Sequence, residues 1–152
     1  MADKKTLPAN MTELESLLEE YLVKKAPALP ENIKEIIVKF GPWITLILML
    51  LALPVLLAAF GLGAAFMPLA VMGGARFGLM SMLSLALSVA SLVLEFMALP
   101  GLFKRQKQGW KFMYYATLVG AVSSAVHLDI IGLVVGTLIS LYVIFQIKSY
   151  YK

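Results

Sequence analysis

Apolar positions fall into two long blocks, and polar positions collect at their edges. Between Gly41 and Phe103 the only ionisable charges are Arg76 and Glu95. Between Phe112 and Ile147 the only formal charge is Asp129, with His127 beside it. A helix needs about 20 apolar residues to cross a hydrocarbon layer of roughly 30 Å. The pattern predicts four spans, over 43–60, 77–99, 110–126 and 130–147. Pro54 should kink the first. Pro100-Gly101 should end the second, and His127-Leu128-Asp129 should turn tightly between the last two. Residues 61–75 are apolar, rich in Gly and Pro, and too short for a further span. They are expected to form an interfacial or re-entrant connection.

The first forty residues have a different rhythm. Residues 1–10 read as a disordered tail. Thr12 and Glu15 then match a capping box, with Thr12 as N-cap. Leu14, Leu17, Leu18, Tyr21 and Leu22 recur on one helical face. Glu13, Glu15, Glu19 and Glu20 crowd the start and Lys24 and Lys25 close it, an order that suits the helix dipole. An amphipathic helix is expected over 12–25. Ala26 to Pro30 breaks it. Ile33, Ile36, Ile37 and Phe40 then form a second apolar stripe, a short juxtamembrane helix lying in the interface plane. The chain divides into a cytoplasmic tail with its amphipathic helix (1–30), the interfacial helix (31–41) and a four-span domain (42–152).

Composition turns this pattern into a statement about solvent. Of the 152 residues, 61% are hydrophobic and 14% charged, with a mean hydropathy of +0.87. Soluble domains have about 45–50% apolar and about 25% charged residues, and a small domain hides a smaller share of its surface. The expected class is an all-α integral membrane four-helix bundle in a lipid bilayer. The 13 Lys and Arg, Arg76 excepted, lie in the N-terminal region, the 104–111 loop or the C-terminal end. Basic residues favour the cytoplasmic side. These three segments share a side only if an even number of spans separates them. Both termini are therefore expected in the cytoplasm, with a bacterial cytoplasmic membrane as the setting. Trp43 and Trp110 stand at the mouths of spans 1 and 3, and with Lys104, Arg105, Lys107 and Lys111 they read as interface anchors. The polar opening contains no cleavable signal. The net charge of +4 is accounted for by membrane edges and does not indicate nucleic acid. The absence of cysteine excludes disulfides, thiolate metal sites and cysteine nucleophiles.

The most informative chemistry is a stripe in span 2. Ser81, Ser84, Ser88, Ser91 and Glu95 share one helix face. One reading is a packing seam, where small serines admit a neighbouring helix. The other is a polar path for an ion, a proton or a small solute. Glu95 is read either as a carboxylate reaching the interface or pairing with Lys104, Arg105 or Lys148, or as a proton- or cation-handling group. Gly132, Gly136 and Ser140 in span 4 and Thr117, Gly120 and Ser124 in span 3 form small-residue faces at matching spacing. Close helix contact is expected, between these two spans or, as a secondary alternative, in a homodimer through Gly132 and Gly136. His127, Asp129 and Ser123 or Ser124 do not make a catalytic triad, since a base and its orienter two residues apart in a tight turn rarely face each other. Asp129 is read as the N-cap of span 4 and His127 as the polar end of span 3. No catalytic, metal or cofactor set is assigned. A faint echo links Lys39-Phe40-Gly41-Pro42-Trp43 with Lys107-Gln108-Gly109-Trp110.

The run from Gly101 through the basic loop to Trp110-Lys111, with the ending from Phe145 to Lys152, resembles small uncharacterised bacterial multi-pass membrane proteins. In these a Lys/Arg–Trp loop introduces a final helical hairpin. The resemblance covers about the last third of the chain and implies no activity. The expected function is non-enzymatic: association of helices as a scaffold, subunit or accessory component. A small transporter or channel subunit with a polar path along span 2 is the alternative. The acidic helix over 12–25 is a candidate surface for a protein partner, for self-association or for docking under the bundle, and a homo-oligomer fits either function.

Overall fold

A computed structural model of the chain describes residues 10–72 and 75–152, with backbone alone at 66, 67, 69–71 and 75–77. The expected disordered tail over 1–9 and the side chain of Arg76 lie outside the described residues. Every regular element among these residues is helical. Helix α1 is Met11–Glu19 and runs on into wider π turns at Glu20–Lys25. Helices α2 (Glu31–Met72), α3 (Ala75–Phe103) and α4 (Lys107–Val126) follow. A π turn over Gly132–Gly136 leads into α5, Thr137–Gln146, and a last 3-10 turn covers Lys148–Tyr150.

Two helices, Glu31–Ala65 and Gly78–Phe103, are long and apolar enough to cross a membrane. Their most apolar windows have mean hydropathies of 2.6 and 2.1, and only 6% and 11% of those windows is buried within the chain. The segment Gly132–Gln146 is apolar but shorter.

The helix boundaries differ from expectation in three places. The interfacial helix over 31–41, the first span and the apolar stretch beyond it form one 42-residue helix, α2, with Pro42, Pro54 and Pro68 inside it. Each proline removes one hydrogen bond, but the Leu, Ala and Met around Pro54 and Pro68 are strong helix formers. The re-entrant connection expected from 61 is therefore helix as far as Met72. Likewise Pro100-Gly101 does not end α3, which continues to Phe103. It ends in a Schellman-type cap, with Gln106 N–H on Gly101 O at 2.7 Å and Arg105 in the left-handed region at φ 52°. Finally, the N-cap of α1 is Asn10 rather than Thr12. The Asn10 side chain accepts from Glu13 N–H at 2.9 Å, and Glu15, the expected partner of Thr12, instead bonds Lys148 at 2.9 Å.

The helices pack mainly on their sequence neighbours, α2 on α3, α3 on α4 and α4 on α5, while the π turns after α1 lie against α5. The result is a row closed at one end rather than an evenly closed bundle. That end holds the core: Val38, Ala98, Leu102, Trp110, Tyr114, Leu141, Phe145 and Tyr151 form one buried cluster. Trp110 and Tyr114 stack at 5.7 Å, and Phe145 meets both rings edge-on. Toward the other end the apolar side chains are exposed, among them Leu57, Leu62, Leu79, Ile130 and Ile131.

Helix α1 is fastened to this closed end. Leu18 and Leu22 pack against the core cluster. The Gln146 amide, 3% exposed, donates to Leu22 O at 2.7 Å and accepts from Leu29 N–H at 3.2 Å. Tyr142 Oη donates to Pro27 O at 2.6 Å. Lys148 holds Glu15 and Glu19 and sits 5.1 Å above the Trp110 ring. The C-terminal residue closes the same end, with Lys107 N–H on Lys152 O at 2.9 Å and Lys152 N–H on Arg105 O at 3.0 Å.

A cleft between α3, α4 and α5 as candidate functional site

Three helices that are pinned together at the aromatic core contribute small side chains beyond it. The Trp110 indole donates to Ile144 O at 2.8 Å and fixes α4 to α5 there. Further along, α4 offers Ala116, Thr117, Gly120, Ala121 and Ser124, and the segment leading through α5 offers Gly132, Gly136, Thr137 and Ser140. Bulky rings at one end set the separation of the helices, and Gly, Ala and Ser leave the space between them unfilled. The result is a cleft of about 570 Å³, open on one side, whose third wall is Ser91 and Glu95 of α3.

The small residues therefore do something different from what their spacing suggested. A Cβ added at Gly120 or at Gly136 would meet nothing within 4 Å among the described residues, so at these two positions the faces stand apart, although α4 packs on the Gly132–Gly136 turn and on α5 elsewhere. Gly132 alone is tight, against the Asp129 carboxylate and Ser124 Oγ. The π turn over Gly132–Gly136 borders the cleft, and such turns recur at functional sites. Thr137 had drawn no notice in the sequence. It falls one residue past Gly136, outside the three- and four-residue spacing used to find the face.

The serine stripe divides. Ser91 and Glu95 reach the cleft. Ser88 donates to Ser84 O at 2.9 Å, and Ser84 Oγ lies 2.8 Å from Met80 O and 2.9 Å from His127 Nε2. Ser81 is exposed. The outer half of the stripe thus pins α3 to the end of α4, and the inner half lines open space. His127 turns its other nitrogen to Ser123 O at 2.7 Å, while Asp129 accepts from Gly132 N–H at 2.9 Å as the cap of the following helix. These partners leave no base–orienter pair for a triad.

Glu95 has no ion pair or hydrogen bond among the described residues. The pairing expected with Lys148 is absent because that ammonium is taken by Glu15 and Glu19. Lys104, Arg105, Lys107 and Lys111 are all exposed around the α3–α4 turn. Since α3 continues to Phe103, Glu95 lies about 12 Å along the axis from its end, deeper than the sequence placed it.

The two tryptophans have opposite environments. Trp43 is 56% exposed, with the Phe103 ring 5.2 Å away in an edge-to-face arrangement. Trp110 is 1% exposed, so it is a core residue and not an interface anchor. The echo between the two Trp motifs has no structural counterpart. Among the described residues no three His, Asp or Glu side chains gather as a metal site. No family model, no curated protein and no solved structure matches the chain.

Proposed function

We propose that the chain is a four-span membrane protein with both termini in the cytoplasm that acts, without catalysis, by holding another helix in the α3–α4–α5 cleft, as a scaffold or accessory subunit. Two helices of sufficient length and hydropathy support insertion. So does the exposure of Ile44, Ile47, Leu48, Leu51 and Val55 along α2, an apolar flank of the kind lipid would cover. The shorter helices α4 and α5 form the second pair, which keeps all three basic segments on one side. The observation that carries the reading is the open space at Gly120 and Gly136. Within a bilayer, glycine faces let helix backbones approach closely, and no described helix of the chain meets Gly120 or Gly136 within 4 Å of where a Cβ would stand.

The absence of cysteine makes the test clean. Gly136→Cys and, as a lipid-facing control, Leu57→Cys are treated with a short thiol cross-linker in native membranes. A discrete adduct at position 136 that is missing at 57 is the expected outcome. Equal or absent labelling at the two positions would sink the association reading.

A second reading, an oligomeric transport subunit, draws on the carboxylate and hydroxyls in the same cleft. It requires proton- or cation-coupled flux in liposomes that Glu95→Gln abolishes while the thermal unfolding of the protein is unchanged.

A further inference from the structure

Resting on the association reading, we propose that the cleft receives a transmembrane helix of a different protein, one with a small-residue face and a lysine or arginine that pairs with Glu95.

Shape gives the first argument. The walls combine Gly120, Gly136, Ala116 and Ala121 with a few hydroxyls and the aliphatic chains of Met113, Ile139, Val143 and Ile144, and no aromatic ring lines the cleft. An organic cation would want an aromatic cage, whereas a helix backbone wants glycine and alanine.

Charge gives the second. Glu95 projects into the cleft without a partner among the described residues. The bases of the closed end do not serve it. Lys148 is held by two carboxylates, and Lys104 and Arg105 are exposed beyond the end of α3. A carboxylate within an apolar span, about 12 Å along the axis from the end of its helix, is costly unless it is paired or neutral. A base on an incoming helix supplies the missing charge at that depth.

The third argument separates a foreign helix from a second copy. From 43 to 103 this chain carries Arg76 as its sole base, and from 112 to 147 it carries none. Arg76 lies nineteen positions from Glu95, about 28 Å along a helix. A copy inserted in the same orientation therefore brings no base from within these stretches to the level of Glu95, and its Lys111 lies about one helical turn nearer the closed end.

The test uses the full chain in lipid nanodiscs and two synthetic helices of about 24 residues. These are identical, each with a Gly/Ala face, except for Lys or Leu at the level of Glu95. Energy transfer between labels reports binding. The Lys peptide should bind about tenfold more tightly than the Leu peptide. Glu95→Gln should erase that preference. Gly136→Leu, which fills space where nothing stands within 4 Å, should weaken both peptides while thermal unfolding stays the same. Equal binding of the two peptides, no binding of either, or a preference that survives Glu95→Gln overturns the proposal. A discrete cross-link at position 136 together with no lysine preference would retain association and remove the basic partner.

Discussion

Gly101 and Gly109 meet backbone to backbone where α3 gives way to α4, and a Cβ built on either would overlap main-chain atoms of the other. Both residues are buried. Neither neighbour can yield, because the atoms in the way belong to the backbone. Gly101→Ala and Gly109→Ala should each destabilise the protein by roughly 1–3 kcal/mol, the usual cost of overfilling a packed site. Gly120→Ala and Gly136→Ala face open space and should leave the midpoint within about 0.5 kcal/mol of the parent, or raise it through helix propensity. Thermal unfolding of the four variants in one detergent separates the two classes.

One amide on α5 holds two backbone groups of the chain that follows α1. Gln146 satisfies Leu22 O and Leu29 N–H at once, so its removal leaves two backbone groups in a part-buried place. Gln146→Ala should cost about 2–3 kcal/mol locally. Because α1 holds to the rest by this end, the loss should appear as α1 lifting before the aromatic cluster melts. Hydrogen exchange over 11–29 should accelerate while exchange at 110–116 holds steady. Uniform acceleration of both regions would contradict separate docking.

Lys148 gives α1 a pH and salt signature. Burial acts to lower its pKa, but the Glu19 and Glu15 carboxylates overcome that and hold the ammonium above the ordinary lysine value. A base whose folded pKa exceeds its unfolded value contributes fully below the unfolded value, near 10.5. That contribution fades as pH rises through the folded value. Docking of α1 should therefore be flat toward neutral pH on this account and weaken only in alkali. Lys148→Met should remove the alkaline step. Proteolysis at the Ala26–Pro30 linker across pH reads it directly. Since this ammonium is partly shielded from solvent, moderate salt should erode the pairing less than it would an exposed one.

The two tryptophans can be told apart in a bilayer. With Trp110→Phe the remaining indole, Trp43, is 56% exposed, and brominated lipid should quench it. With Trp43→Phe the remaining indole is 1% exposed, and quenching should be slight. Equal quenching would place both rings against lipid and undo the assignment of Trp110 to the core.

Much of this was legible in the order of residues. The helical class follows from apolar blocks without charge, the α1 helix from Leu14, Leu17, Leu18 and Leu22, and the cap at Asp129 from its place after a turn. What escaped was information carried by distant partners. Trp110 looks like an anchor because basic residues flank it, and only Ile144 and Phe145 draw it inward. Asn10 takes the cap through its own bond to Glu13 N–H, and Glu15, the reciprocal partner the Thr12 box needs, is held by Lys148 more than a hundred residues away. Gly101 reads as a helix stop next to Pro100, yet its lack of a side chain serves a crossing with Gly109. Glycines at Gly120 and Gly136 promise contact by spacing alone, but spacing cannot say whether the facing surface belongs to this chain.

The buried rings and the fastened α1 all sit at one extremity, and the helices run out from it with their apolar sides bare. Ser84 and His127 tie α3 to α4 again at the far side, so these two helices travel together as one arm. A tilt of about 5° at the gripped end would carry a point roughly 30 Å along α2 through about 2.6 Å, half the width of a helix backbone.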